Sequence, residues 1–410
     1  MNILIVNAGD VGHCIELATS FHVQLKKCIN IVDTLTPFPE SFTCDKNNHY
    51  CIPASTNIGL TERYEFIAKF IGYTKKKYDL ILFFTFDELL SLPPETLCKL
   101  KTALGHTPIT GIYYSSSYWR YPDKVAWCLS REQKLSQLNI PIVFSPDPKV
   151  EFIVAQNTSS KLRFKWLPDF TSIDTDQSSN SLTNLIKRVK NNRKVIGLVG
   201  SLGKWKGVYE LLSCIYHDQK LADEHLFVFS GELVEGTFSK EELSDIKKWI
   251  LELDSKIIFN NKTIASEGGF NQLVDNCDII YAVYNNPQSS GLISKSIKFK
   301  KSVLYPSHGF IQELMDVLDY NGEFIDVNNV SPSSIRSKIN ALDHNKCNSN
   351  ISIKYRELLN SESAVEIFVQ LVSDIVFSNR LIGDRGVITG SAYKDILNSY
   401  NLIRKKFELK

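Results

Sequence analysis

Two lysines in the middle of the chain lie in a glycine-rich loop whose residue types suit a phosphate. The segment Val195–Leu212, VIGLVGSLGKWKGVYELL, starts as a β-branched apolar run that ends at Gly200 and becomes helical after Gly207. A helix N-terminus carries unsatisfied N–H groups and partial positive charge, so it favours an anion. Lys204 and Lys206 add full charges beside it. The pattern predicts a strand, an anion-binding loop and a helix, with Lys206 exposed to the anion.

A second polar loop follows the apolar run DIIYAV and opens another helical pattern. In Asn285–Val303, NNPQSSGLISKSIKFKKSV, either Ser289 or Ser290 can cap a helix, and Gly291 lets a ligand approach the backbone closely. An ordinary capped helix explains this segment when it is taken alone. Together with the lysine loop, it predicts that two loops converge on one diphosphate at the carboxyl edge of a parallel sheet, where ligands bind in open α/β folds.

Short apolar runs that alternate with helical patterns supply the elements that position these loops. Such alternation predicts parallel sheets in an α/β fold. In the first half the predicted strands are Ile3–Val6, Asp79–Phe84, Thr110–Tyr114, Ile140–Ser145 and Phe152–Val154. In the second half they are Val195–Val199, Leu226–Ser230, Lys256–Phe259, Asp278–Val283 and Ser302–Tyr305. A Ser- and Asn-rich linker, 172–184, separates the halves, and the chain after Asn340 is helical.

Composition narrows the class of protein. The 410 residues are 43% hydrophobic and 22% charged, which fits two cores of ordinary size. A net charge of +2 does not predict a nucleic-acid partner. The opening residues MNILIVNAG fit a first strand better than a signal peptide, and nine scattered cysteines favour a reducing compartment. We therefore expect a cytoplasmic protein, with peripheral contact at the inner face of the membrane as an open possibility.

The order of motifs resembles the GT-B glycosyltransferases, most closely the group 1 transferases of glycosyltransferase family 4. The matching segments are AGDVGHCIELA, KWLPDF, VGSLGKWKG, FSGE, DNCDIIYAVY and SSGLISKSIKFKKSVLYPSHGFIQEL. The resemblance implies two Rossmann-like, doubly wound domains facing a central cleft. It predicts an acceptor domain, 1–175, joined by a C-terminal helix, 391–410, and a nucleotide-sugar donor domain, 192–380.

Carried over residue by residue, the resemblance also predicts a donor site. Lys206 matches a lysine that neutralises phosphate, and Ser201 stands where the family usually has arginine. The family's two glutamates, spaced E-x7-E, align with Gln288 and Ser296, so both carboxylates are absent. The predicted donor-binding residues are Gly9, Gly12, Gly200, Ser201, Lys206, Glu232, Gln288, Ser289, Ser290, Gly291, Leu292 and Ser296.

Two residues of the first half are the predicted catalytic groups. His13 follows the family's glycine-rich first loop, where a neutral imidazole can orient a hydroxyl; a solvent-exposed histidine at a helix start is the alternative. Asp87 follows the strand DLILFF, where it can orient the acceptor or act as a base. Its alternative role is an N-cap for Glu88–Leu92.

These patterns predict a glycosyltransferase that moves a sugar from a nucleotide-sugar to a glycan or lipid-linked acceptor in cell-surface polysaccharide or glycoconjugate synthesis. The sugar nucleotide is a substrate, and we expect no resident cofactor and no metal ion. Two alternatives stay open. A sugar-nucleotide epimerase would need further carboxylates, and a non-catalytic GT-B protein that supports a partner transferase would explain the missing glutamates.

Overall fold

The computed structural model describes residues 1–9, 13–29, 31–37, 49–53, 58–157, 159–171, 181–264, 266–285, 290–342, 349–376 and 391–409. They form two compact units, Met1–Phe170 with Glu357–Lys410, and Thr171–Arg356. The boundaries between these units fall after Phe170 and after Arg356. The domain ends at 175 and 380, which were inferred from the sequence, stay a prediction. No helix in the described part of the chain is long and apolar enough to cross a membrane.

Residues 1–170 build a parallel sheet with helices. The strands are β1 (Asn2–Val6), β2 (Ile31–Thr36), β3 (His49–Cys51), β4 (Leu80–Phe83), β5 (Ile109–Gly111), β6 (Val143–Ser145) and β7 (Phe164–Trp166). The helices are α1 (His13–Cys28), α2 (Leu60–Tyr73), α3 (Phe86–Leu89), α4 (Pro94–Leu104), α5 (Pro122–Lys134) and α6 (Pro148–Ala155). The strands are parallel and lie in the order β3-β2-β1-β4-β5. The chain adds β2 and β3 on one side of β1, and β4 and β5 on the other, so the strand order reverses between β1 and β4. Strands β6 and β7 pair in a separate sheet.

The predicted strand Phe152–Val154 is wrong, because these residues lie within α6. Asp147 caps this helix by accepting a hydrogen bond of 3.0 Å from the Lys149 N–H, and Pro148 occupies its first turn. Proline at the first helical position has a favourable φ and lacks only an N–H that would be unpaired there. A three-residue apolar run has no periodicity that separates a strand from a buried helix.

Residues 171–356 build a second parallel sheet. Its strands are β8 (Lys194–Val199), β9 (His225–Ser230), β10 (Ile257–Asn260), β11 (Ile279–Tyr281), β12 (Ser302–Pro306) and β13 (Gly322–Ile325). Its helices are α7 (Ser181–Val189), α8 (Val208–His217), α9 (Lys220–Glu224), α10 (Lys240–Glu252), α11 (Glu267–Asn276), α12 (Gly291–Lys298), α13 (Gly309–Leu318), α14 (Pro332–Ala341) and α15 (Asn350–Leu358). The strands lie in the order β10-β9-β8-β11-β12-β13. The order in which the chain adds strands reverses between β8 and β11, although these two strands are parallel.

The last two helices, α16 (Ser361–Val376) and α17 (Ser391–Glu408), belong to the first unit. In α16, Phe368 packs edge-on against Phe21 of α1, with ring centroids 5.3 Å apart. In α17, Tyr400 stacks on Trp166 at 4.9 Å and donates a hydrogen bond of 2.9 Å to its carbonyl. The expected α/β fold with two doubly wound parallel sheets is confirmed.

Candidate functional site

The loop after β8 is shaped by close contact between two glycines. Gly200 has φ +93°, and Gly231, which follows β9, has φ +146°. A Cβ on Gly231 would overlap the Gly200 carbonyl oxygen, so only glycine allows this approach. The Gly200 N–H donates to the Ser230 carbonyl at 2.9 Å. The β8 loop is therefore held by β9 at the carboxyl edge of the sheet.

Lys206 lies at the carboxyl end of β8 as a partly buried ammonium. Its Nζ donates a hydrogen bond of 3.0 Å to the Val199 carbonyl and lies 5.4 Å from the centroid of the Tyr284 ring. Within the described residues no carboxylate pairs with it. Burial lowers the pKa of Lys206 from 10.5 to about 8. The expectation that this side chain is exposed is wrong: the ammonium is partly buried, and none of the described carboxylates serves as its counter-ion.

Lys204 differs from Lys206 although it is two residues away in the same 3₁₀ turn. Its ammonium is more exposed and pairs with Glu242 of α10, at 2.6 Å from Oε1. A surface pair of this kind contributes little free energy. The positive charge left for an anion at this loop is therefore that of Lys206.

The loop after β11 lies against the lysine loop, since β8 and β11 are neighbours in the sheet. The Asn285 N–H donates a hydrogen bond of 2.8 Å to the Trp205 carbonyl. Gly207 has φ +70°, and a Cβ there would lie 2.8 Å from the Val283 carbonyl oxygen. The described start of the second loop thus meets the lysine loop at the point where strand order reverses, which is the ligand-binding position of open α/β sheets.

The start of α12 has backbone N–H groups that make no hydrogen bond to the described residues. Ser290 is its N-cap residue but makes no side-chain capping hydrogen bond. Among the described residues, the N–H groups of Gly291 and Leu292 have no hydrogen-bond acceptor, whereas that of Ile293 bonds to the Ser290 carbonyl at 2.8 Å. The space beside Gly291 is open. Two other predicted donor residues, Gln288 and Ser289, lie outside the described residues.

The remaining donor candidates of this unit divide into exposed and buried groups. Ser201 and Glu232 are exposed on the loops after β8 and β9. Ser296 is fully buried, and its hydroxyl donates a hydrogen bond of 2.6 Å to the Leu292 carbonyl one turn earlier in α12. The hydroxyl is thus engaged within the helix, and the donor-binding role predicted for Ser296 stays a prediction.

The carboxylate of Asp87 caps a short helix of the first unit. Its two carboxylate oxygens accept hydrogen bonds from the backbone N–H groups of Tyr114 and Ser115, at 2.8 and 2.9 Å. These groups open the 3₁₀ helix Tyr114–Arg120, so Asp87 caps that helix rather than the segment Glu88–Leu92. Both oxygens accept a hydrogen bond, and burial raises the pKa of Asp87 although these bonds oppose the effect. The catalytic role predicted for Asp87 stays a prediction.

The glycine-rich first loop is described only in part. Gly9 follows β1 and is partly exposed. Gly12 and the side chain of His13 lie outside the described residues, so the role predicted for His13 stays a prediction.

Sequence reasoning missed three residues at these sheet edges. Tyr284 lies beside Lys206, and burial raises the pKa of this tyrosine to about 12. In the first unit, Asn7 and Glu88 follow β1 and β4, the strands between which the order reverses. The sequence pattern could have identified them, because each is a polar residue that follows a buried apolar run.

Comparison with known proteins rests on structure alone, since no protein-family model and no curated protein matches the sequence. HepE of Anabaena, solved with UDP and glucose, superposes with a TM-score of 0.64 and 14% identity over 91% of this chain and 99% of that chain. Sucrose-phosphate synthase of Thermosynechococcus elongatus gives 0.67 and 13% over 92% and 100%. A UDP-N-acetylglucosamine 2-epimerase gives 0.59 and 11% over 95% and 99%. At these identities the similarity establishes the fold, and this chain has the GT-B fold.

Proposed function

We propose that this protein is a glycosyltransferase that transfers a sugar from a nucleotide-sugar to a glycan or lipid-linked acceptor. The observation that carries the proposal is the ammonium of Lys206, which is partly buried and has no carboxylate partner among the described residues. A buried charge is costly unless it is paired. A diphosphate would supply the missing charge.

The chemistry at this site is stabilisation of a leaving nucleoside diphosphate. Negative charge develops on the diphosphate as the bond to the sugar breaks. In this proposal Lys206 and the N–H groups of Gly291 and Leu292 bind the diphosphate, and donors held in place before the reaction are the usual source of electrostatic catalysis. These groups provide positive charge without a metal ion, and we propose a metal-independent reaction.

Uridine diphosphate is the first nucleotide to test, because HepE was solved with UDP and glucose on the same fold. We assign the reaction to the synthesis of cell-surface polysaccharide or glycoconjugates, in the cytoplasm or at the inner face of the membrane. The motifs shared with group 1 transferases support that assignment.

The test is a panel of uridine, guanosine, adenosine and thymidine diphosphate sugars, scored by thermal shift and by release of nucleoside diphosphate with mixed saccharide and lipid-linked acceptors. We expect one nucleotide to raise the melting temperature and its sugar conjugate to release diphosphate only with an acceptor. No stabilisation by any nucleotide would contradict the proposal.

The second candidate is a non-catalytic GT-B protein that binds a sugar nucleotide and supports a partner transferase. The absence of both E-x7-E carboxylates favours it, as does the burial of Ser296. Binding without diphosphate release in the complete panel would select this candidate. An epimerase would instead convert the sugar nucleotide to its epimer, which chromatography of the same reactions detects.

A further inference from the structure

Tyr284 is held in place by hydrogen bonds on both sides of its backbone. It follows β11 and is 4% exposed. Its own N–H donates to the Ala282 carbonyl at 2.9 Å, which makes a tight turn. The N–H of the next residue, Asn285, donates to the Trp205 carbonyl at 2.8 Å. The ring of Tyr284 therefore has a fixed position against the lysine loop.

The Lys206 ammonium lies between a carbonyl group, a glycine and this ring. Its Nζ is 3.0 Å from the Val199 carbonyl oxygen and 5.4 Å from the centroid of the Tyr284 ring. A Cβ on Gly200 would lie 2.8 Å from the same Nζ, so the glycine makes room for the ammonium. Within the described part of the chain, burial lowers the pKa of Lys206 and no charged group contributes to the shift. The carbonyl and the ring face are therefore the described groups that stabilise this cation.

An aromatic ring stabilises a cation without cancelling its charge. The face of the ring carries partial negative charge, and it attracts an ammonium that lies within about 6 Å of the centroid. A carboxylate in the same place would form an ion pair and compete with an incoming anion. Burial raises the pKa of Tyr284 to about 12, so the phenol is neutral near pH 7 and forms no such pair. Tyr284 thus leaves the positive charge of Lys206 available to a ligand.

The same tyrosine also interacts with the start of α12. The side chain of Ser290, the N-cap residue of this helix, partly offsets the effect of burial on the pKa of Tyr284. The N–H groups of Gly291 and Leu292 follow directly in the chain. One side chain therefore contacts both Lys206 and the first residue of the helix that carries the other phosphate donors of the proposed function.

We propose that Tyr284 is a positioning residue of this site, whose ring face holds the Lys206 ammonium at the end of β8 in the charged state that a diphosphate requires. The part played by the diphosphate rests on the proposed function, whereas the contact between ring and ammonium is a property of the free protein. The role depends on the electron density of the ring face and not on the hydroxyl.

A series of fluorinated phenylalanines at position 284 tests the ring face in the full-length protein. Tyr284→Phe removes the hydroxyl, and analogues with one, three and five fluorines weaken the attraction of the face in steps while nearly keeping its shape. Competitive labelling with trace acetic anhydride from neutral to strongly alkaline pH, read by tandem mass spectrometry, gives the pKa of Lys206 without nucleotide. We expect the midpoint to stay near 8 in Tyr284→Phe. With five fluorines it should fall by about 0.5–1 pH unit, because a weaker contact disfavours the charged amine.

Two controls accompany the series. Lys204 pairs with Glu242 and should keep its labelling profile in every protein. Tyr216→Leu is the matched variant, since the Tyr216 ring lies 5.6 Å from the Lys248 ammonium outside this site, and it should leave the midpoint of Lys206 unchanged. Thermal unfolding checks that each analogue is folded, and the analogues with one and three fluorines decide the result if the fifth-substituted ring destabilises the protein. A midpoint that does not change with fluorine content would overturn the proposal.

UDP affinity supplies a readout that a merely structural role would not change. At pH 8 the analogue with five fluorines should bind UDP about two- to fivefold more weakly than Tyr284→Phe, because a smaller fraction of Lys206 is charged. The difference should narrow at pH 6.5, where the lysine is charged in both proteins. An equal deficit at both pH values would indicate a packing defect and overturn the proposal.

Labelling without nucleotide and calorimetry with UDP on the wild-type protein separate the two proposals. A fluorine-dependent midpoint without UDP binding would contradict the proposed donor and retain Tyr284 as the residue that holds this ammonium. UDP binding without a fluorine-dependent midpoint would remove the role of Tyr284 and leave the proposed donor.

Discussion

The Lys206 ammonium donates a hydrogen bond of 3.0 Å to the carbonyl of Val199, the last residue of β8. This bond ties the lysine to the edge of the sheet and holds its charge beside the ring of Tyr284. A side chain held in this way loses little further conformational freedom when an anion binds.

Replacing Lys206 with methionine should weaken binding of a nucleoside diphosphate by about 1.5–3 kcal/mol, or roughly 10- to 150-fold in Kd. Methionine keeps the apolar stem against Tyr284 and removes the charge. Isothermal titration calorimetry with UDP measures the effect. Lys204→Met is the matched control and should bind as the wild type does, because Lys204 already pairs with Glu242. Equal loss in both variants would contradict the specific role of Lys206.

Diphosphate binding should be accompanied by proton uptake above pH 8. Lys206 has a pKa of about 8 in the free protein, and a bound diphosphate raises that pKa. At pH 8.5 we expect uptake of about 0.7 proton per site, measured from the dependence of the binding enthalpy on buffer ionisation. Affinity should fall as the pH rises through 8. Lys206→Arg should abolish the uptake, and its persistence in that variant would point to another group.

Gly231→Ala should destabilise the protein by about 2–5 kcal/mol, because a φ of +146° excludes side chains and the new methyl group would overlap Gly200. Urea denaturation measures the free energy of unfolding. Gly236→Ala is the control, since no atom lies within 4 Å of the added Cβ. A stability of Gly231→Ala equal to that of the control would show that the contact between the two loops is not required.

Ser296→Ala should leave UDP affinity unchanged and lower stability by about 1 kcal/mol, the contribution of one hydrogen bond. Ser296→Glu should be more destabilising, because it would bury a carboxylate against the helix. Calorimetry and thermal unfolding separate the two effects. Weaker UDP binding by Ser296→Ala would mean that the hydroxyl does contact the donor.

Asp87→Ala should lower stability by about 1–3 kcal/mol, because it leaves the N–H groups of Tyr114 and Ser115 without their acceptor. Asp87→Asn should recover part of the loss, since its amide oxygen still accepts one of the two bonds. Transfer activity per folded molecule should stay near that of the wild type. A loss of activity in Asp87→Asn without a loss of stability would instead support the catalytic role predicted for this residue.

The sequence by itself located most of the strands that carry the candidate sites. Buried parallel strands are nearly continuous apolar runs, and the runs at Ile3–Val6 and Val195–Val199 have this form. The strands β2, β3, β7 and β13 were missed. Polar residues interrupt the apolar run of β2, IVDTLT, and the other three strands are only three or four residues long. The resemblance to GT-B enzymes then predicted the two-sheet fold without any structural information.

Side-chain partners were decided only by tertiary structure. Lys204 and Lys206 look equivalent in the sequence, yet Lys204 meets Glu242 of α10 while Lys206 lies beside Tyr284. Ser290 and Ser296 share a motif, but the first is partly exposed at the start of α12 and the second is buried within it. The physical reason is that pairing and burial depend on which distant elements pack against a residue, whereas the sequence encodes directly only local preference and the pattern of apolar residues.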